Sequence, residues 1–181
     1  MSRIRITAWD ATDTQLERSA ELYASVFAEP PYGEDPETSR SSFIERVQRY
    51  ALSHADFRFL IATHGDDVIG LVLGTGAAEG DWWRDRLTEV LSHEQQEEWL
   101  GEACFSIAEL AVSPDFRREG AAEQLMDAVL ENLPYETAIL GCYADALPAR
   151  RLYSRLGWDP IESGVHIGAS PALEILGRRL R

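Results

Sequence analysis

The stretch from Cys104 to Ala144 constrains the fold of this chain more than any other. Its first part, CFSIAELAV (104–112), is apolar on both faces when read as a strand, which marks a strand buried at the centre of a sheet. Pro114 stops it. From Ala122 onward, Leu125, Met126, Val129, Leu130 and Leu133 recur at helical spacing and predict an amphipathic helix. TAILGCYA (137–144) reads as a second strand. A strand, a helix and a strand in that order imply a right-handed crossover and a locally parallel pair.

The elements before this unit are read from their breakers. Ile4–Trp9 is a strand pattern, and Thr12 with Gln15 fits a reciprocal helix cap. Leu16, Ala20, Tyr23 and Phe27 then predict a helix to about Ala28. EPPYGED (29–35) ends it, because paired prolines and a glycine do not continue a helix. Asp35 followed by Pro36 reads as the start of a second helix, with Phe43, Val47 and Tyr50 on one stripe. FRFLIATH (57–64), the turn GDD and VIGLVLGTG (68–76) predict an antiparallel hairpin.

Residues 77–103 look like a helical, acidic insertion covering one end of the sheet, with Trp82, Trp83 and Trp99 as core anchors. After the crossover come a helix at PARRLYSRL (148–156) and strands at WDPIE (158–162) and ALEIL (172–176). The expected fold is a mixed α/β (α+β) domain over residues 1–181, with a mostly antiparallel sheet, one parallel pair and flanking helices.

Composition excludes several classes of function. The formal net charge is −14, whereas a nucleic-acid binder needs a basic footprint. No apolar run approaches the length of a membrane span, and the N-terminus lacks the apolar core of a signal peptide, so a cytoplasmic protein without a membrane partner is expected. Cys104 and Cys142 lie in apolar strands and read as buried, reduced thiols. No Cys/His spacing suggests a metal site. The chain has no lysine, which excludes a Walker-type phosphate loop and Schiff-base chemistry.

RREGAA (117–122) is the stretch whose chemistry is most open. It lies between the strand and the helix of the crossover unit. Helix N-termini carry unpaired N–H groups and partial positive charge, and they bind anions readily. Gly120, Ala121 and Ala122 leave those amides uncovered, and Arg117 and Arg118 add charge. A glycine at such a turn is also explained by the turn alone.

ELAVSPDFRREGAAEQLM resembles the acetyl-CoA signature of the GNAT superfamily of N-acetyltransferases. Arg117, Gly120 and Ala122 match its three marked positions. ALPARRLYSRLGW (146–158) resembles the family's second block through Ala149, Leu152, Tyr153 and Gly157, with Trp158 as its aromatic. The match covers about 104–160, and the front half agrees only in the order of its elements.

The resemblance implies acetyl-CoA as co-substrate, with no metal. The amides of Arg118, Glu119, Gly120, Ala121 and Ala122 would hold the pyrophosphate. The strand edge at Leu110, Ala111 and Val112 would pair with the pantetheine arm, beside a splayed pair of strands that Gly141 would help to open. It implies Tyr153 as the acid that protonates the leaving thiolate. One of Arg150, Arg151 and Arg155 could reach the 3′-phosphate. The loop bearing Tyr32 and Glu34 would border the acceptor, a small-molecule or peptide amine. Dimers are common in the family, so a homodimer is compatible with the resemblance.

Two residues depart from the pattern. Glu119 brings a carboxylate into the phosphate loop, and Ala146 stands where the family often has asparagine, with Asp145 beside it as a substitute.

Glu109 has two readings. On alternation it shares a strand face with Phe105, Ile107 and Ala111. A carboxylate placed there is either a general base or the partner of a buried arginine. Two other functions stand beside the acetyltransferase. One is a non-catalytic acyl-CoA-binding sensory domain of the same fold. The other is a dinucleotide enzyme built on GTGAAEG (74–80), whose glycine spacing misses the fingerprint by one.

Overall fold

In the computed structural model, which describes residues 3–181, polar caps begin the first two helices. Thr12 accepts from the Gln15 amide at 3.3 Å at the start of α1 (Asp13–Phe27). The reciprocal half of the expected cap is displaced: the Gln15 side chain accepts from the Asp10 amide, and the Thr12 amide donates to Asp10. Asp35 accepts from the Thr38 amide at 2.9 Å and starts α2 (Pro36–Ser53), with Pro36 in the first turn as expected.

The chain forms two compact units. One holds the residues up to Thr75 together with Ala108–Glu131, and the other holds Gly76–Ile107 and Asn132–Arg181. In the first, β1 (Ile4–Ala8), β2 (Arg58–His64) and the start of β3 (Asp67–Ala78) pair antiparallel. Gly65, at a φ of 61°, makes the tight turn between β2 and β3. Leu16, Ala20 and Tyr23 of α1 meet Phe43 and Val47 of α2 over Phe59, Ile61, Leu71 and Leu73 of the strands.

The crossover helix α5 (Ala121–Leu130) belongs to this unit and buries Leu125, Met126 and Val129. It stops at Leu130, one turn short of the expected stripe. Glu131 takes an extended conformation, and Asn132, at a φ of 55°, turns the chain. Leu133 is buried without being helical. Arg58 holds this helix end by donating to the carbonyls of Val129 and Glu131, where a cation suits the helix dipole.

The second unit is built on β5 (Thr137–Tyr143), β7 (Leu173–Arg179) and the edge strand β6 (Asp159–Val165), paired antiparallel. Both β6 and β7 run three residues beyond the expected segments. The parallel register is Phe105↔Ala138 and Ser106↔Ile139, joining β4 (Ala103–Val112) to β5. The seven strands follow the order β1-β2-β3-β4-β5-β7-β6 in a mixed, mostly antiparallel sheet, and six α-helices accompany them among the described residues.

The insertion folds as α3 (Trp82–Val90) and α4 (His93–Trp99). The only reciprocal cap found among the described helices lies here, at Ser92 and Gln95. Leu87, Leu91 and Leu100 enter a core with Cys104, Ile139, Leu173 and Ile175. Trp99 is buried as expected, whereas Trp82 is exposed.

Two strand glycines accommodate the insertion's other indoles. A Cβ at Gly141 would lie 2.9 Å from Trp83 Cη2, and one at Gly177 would lie 2.4 Å from Trp99 Cε3 and 2.7 Å from Ile161 Cδ1. The Trp83 ring thus lies against Gly141, where a side chain would have to displace it. Gly177→Ala is expected to destabilise the protein by about 1–3 kcal/mol through overpacking. That corresponds to a melting temperature roughly 2–12 °C lower for a chain of this size. An unchanged melting temperature would mean that Trp99 is not seated on β7.

Candidate active site

β4 is covered on both faces from Cys104 to Ile107, all buried, and leaves Glu109 half-buried near its end. Two helices reach that carboxylate. Arg46 of α2 forms an ion pair with it through Nη1, and the Tyr23 hydroxyl of α1 donates to the same oxygen, Oε1, at 3.3 Å. Arg46 Nη2 also donates to the Tyr23 oxygen at 3.3 Å, which closes the triangle. Tyr23 is fixed by stacking on Phe27 at 4.4 Å and on Phe43 at 4.8 Å. The arginine partner that was one reading of Glu109 is therefore present. It engages one oxygen; Oε2 makes no hydrogen bond among the described residues.

Burial raises the Glu109 carboxyl above the ordinary carboxylate range, and the Arg46 charge and hydrogen bond offset that rise only in part. Burial also raises the Tyr23 phenol, with the Glu109 charge adding to the effect. Desolvation acts to lower the Arg46 guanidinium, but Glu109 and Tyr23 outweigh it, so the arginine stays charged.

Glu34 is close enough for its charge to raise both Glu109 and Tyr23. Its carboxylate accepts from the Ser39 hydroxyl at 2.6 Å. Tyr32 packs on Phe27 with ring centroids 4.6 Å apart. Thus the loop expected to border an acceptor lies beside the carboxylate expected to act as a base.

The same strand leads into the glycine loop. Ala111 is buried, and Leu110 and Val112 are half-buried. Ser113 closes the strand by donating to the Ile69 carbonyl at 2.8 Å, and Pro114–Phe116 make a short 3-10 turn. Arg118 and Gly120 then take left-handed φ values of 65° and 83°. Gly120 is the N-cap of α5 and offers no side-chain cap.

Among the described residues, the backbone amides of Arg118, Glu119, Gly120, Ala121 and Ala122 donate no hydrogen bond. Successive free amides in a turn that opens a helix form an anion-binding concavity, which is what a pyrophosphate requires. Glu119 is exposed, and its carboxylate forms no ion pair among the described residues. Arg117 pairs with Glu29 at 3.6 Å, a half-exposed contact of little energetic weight.

In the second unit, α6 (Leu147–Arg155) carries Tyr153 on its buried side, edge-on to Trp158 with centroids 6.3 Å apart. Arg150 donates to the Ala144 carbonyl at 2.9 Å, and Arg151 and Arg155 are exposed. Ala146 is the buried N-cap of α6 and has no side-chain cap, while Asp145 is exposed. Gly74 and Gly76 of GTGAAEG lie within β3 rather than in a turn between strand and helix, unlike a dinucleotide fingerprint, and α3 starts only at Trp82.

A family model described as the acetyltransferase (GNAT) family matches residues 17–158. This chain belongs to that family. Solved structures share the fold at low identity. An acetyltransferase of the GNAT family from Staphylococcus aureus is similar at 13% identity and a TM-score of 0.66, over 99% of this chain and 100% of the other. NAA60 of Arabidopsis thaliana, in complex with acetyl-CoA, is similar at 17% identity and a TM-score of 0.65, over 98% of each chain. The ribosomal-protein-S18-alanine N-acetyltransferase of Escherichia coli is similar at 13% identity and a TM-score of 0.62, over 98% of this chain and 94% of the other. Among curated proteins, none is similar enough in sequence to match.

Among the described residues of this GNAT chain, no cluster of His, Cys, Asp and Glu could hold a metal ion, and no helix is long and apolar enough to cross a membrane. Sequence reading missed Arg46 and the hydroxyl of Tyr23. Tyr23 was absorbed into the apolar stripe of α1. Arg46 sits three residues after Phe43 and next to Val47, on the flank of the α2 stripe. A polar atom on each of two neighbouring stripes was the available signal.

Proposed function

We propose that this protein transfers the acetyl group of acetyl-CoA to a primary amine by direct attack in a ternary complex. The observation that carries the reading is the C-terminal half of β4, which presents Glu109 and then runs into five undonated amides at the start of α5. These amides, with Arg117 and Arg118, suit the coenzyme pyrophosphate. The edge at Leu110, Ala111 and Val112 suits the amides of the pantetheine arm. When bound, acetyl-CoA supplies an activated thioester carbonyl and a thiolate leaving group.

The residues of the chain supply the proton steps. Glu109 takes a proton from the acceptor's ammonium, so that the nitrogen keeps its electron pair for attack on the carbonyl carbon. Tyr153 gives its phenolic proton to the sulfur as the carbon–sulfur bond breaks. The second proton of the acylated nitrogen then leaves to solvent, and the phenolate is reprotonated. Tyr32 and Glu34 receive the acceptor, with the Glu34 carboxylate opposite its positive charge. A peptide α-amine is one acceptor class consistent with this, since the Escherichia coli neighbour is named for action on an alanine.

The test is release of free thiol from acetyl-CoA with a panel of polyamines, aminoglycosides and peptide N-termini. Amine-dependent release is the expected result. Tight acetyl-CoA binding with no release across the panel would instead favour a non-catalytic acyl-CoA sensor, the reading that Ala146 keeps open.

A further inference from the structure

We propose that Arg46 is a positioning residue for Glu109, holding one carboxylate oxygen so that the other is left to receive the acceptor's proton. The inference rests on the acetyltransferase reading and adds a residue that the glycine-loop and tyrosine motifs do not contain.

Three observations support it. Both hydrogen bonds to Glu109, from Arg46 and from Tyr23, fall on Oε1. Arg46 and Tyr23 come from different helices and are themselves bonded, so the carboxylate is gripped from α1 and α2 together. The Tyr23 ring is in turn clamped between Phe27 and Phe43, which leaves the grip little freedom to move.

The arrangement answers a chemical problem. A carboxylate buried in apolar surroundings tends to take up a proton, and a protonated carboxyl is no base. The groups whose charge or hydrogen bonding acts on Glu109 are Arg46 from α2, Tyr23 from α1 and Glu34 from the intervening loop. Glu34 and burial favour the protonated form; Arg46 and the Tyr23 hydrogen bond favour the ionised one. Arg46 is thus the foremost group that opposes the protonation favoured by burial. During turnover the proton passes from the acceptor nitrogen to Oε2 and then to solvent, while Oε1 keeps its two donors.

The experiment compares wild type, Arg46→Gln, Arg46→Lys and Tyr23→Phe. The midpoint of the Glu109 carboxyl is followed by carbon-13 NMR of labelled glutamate, with Glu109→Gln identifying the resonance. The pH dependence of kcat/KM for one amine is measured beside it. The acceptor's own titration is the same in every variant, so differences between the profiles come from the protein.

Loss of the positive charge leaves Glu109 harder to ionise. Its midpoint and the acid limb of the rate profile should therefore rise together in Arg46→Gln, by about one to three pH units. Arg46→Lys should restore part of the shift. Tyr23→Phe, which keeps the stacked ring, should give a smaller shift in the same direction and serves if Arg46→Gln folds poorly.

An unchanged Glu109 midpoint in both Arg46→Gln and Tyr23→Phe would overturn the proposal. A midpoint that rises while the acid limb stays in place would overturn it too, by showing a structural ion pair. A wild type that titrates normally but releases no thiol with any amine would instead remove the acetyltransferase function, and with it the catalytic role of the pair.

Discussion

Replacing Glu109 with glutamine should lower kcat by about 10²- to 10⁴-fold, the usual contribution of a positioned general base, and leave acetyl-CoA affinity in place. Glutamine keeps the shape of the side chain and can still accept from Arg46 and Tyr23 through its carbonyl, but it cannot take a proton from an ammonium. The five free amides from Arg118 to Ala122 do not contact Glu109 through any hydrogen bond and should bind the coenzyme as before. Initial rates with a responsive amine, together with calorimetric titration of acetyl-CoA, separate the two effects. Unchanged turnover would remove Glu109 as the base.

The substitution also leaves Arg46 without its counter-charge. Breaking a fully buried pair destabilises by about 3–5 kcal/mol. The effect here should be smaller, because the side chains of Arg46 and Glu109 remain 24% and 14% exposed. Rates should accordingly be compared well below the melting temperature of the variant.

The largest effect on stability is expected from Phe43→Ala. Phe43 is completely buried between α1, α2 and the strands beneath them. Truncating such a ring removes its burial and leaves a cavity, which together are worth about 3–5 kcal/mol. For a chain of this length the melting temperature should fall by roughly 6–20 °C. The same ring stacks on Tyr23, so the variant should also loosen the hydroxyl that donates to Glu109. Thermal melting followed by circular dichroism gives the first effect. A decrease below about 1 kcal/mol would be less than the lost burial of the ring alone, worth about 1.5–3 kcal/mol, and would mean that Phe43 is not packed in this core.

Much of the fold could be read from short-range pattern. The β4–α5–β5 crossover followed from periodicity, and Pro114 and Gly120 fixed its boundaries within a residue or two. The misplaced detail lay where a tertiary contact decides. Leu133 continued the helical spacing, yet Asn132 turns the chain before it. Gln15 had the right spacing for a reciprocal cap, yet Asp10 competes for the Thr12 amide. At Gly141 the letters give no sign of the Trp83 ring that lies against it.

The candidate site divides in the same way. RREGAA carries its chemistry in the backbone, and a glycine with two alanines at a helix start is visible as letters. The Glu109 triangle is made by side chains separated by 86 and 63 positions in sequence, and no local pattern joins them. The sequence could demand a reason for a carboxylate on a central strand. It could not say that Arg46 would supply it.

Cys104 and Cys142 are both buried, and burial pushes each thiol up to about 11. A chromogenic disulfide added to the folded protein at neutral pH therefore meets two shielded, protonated sulfurs, and the colour it develops during turnover counts coenzyme A alone. In the absence of coenzyme the slow appearance of the same colour becomes a clock: both sulfurs sit in the unit carrying Tyr153, so its rate reports how often that half of the molecule opens.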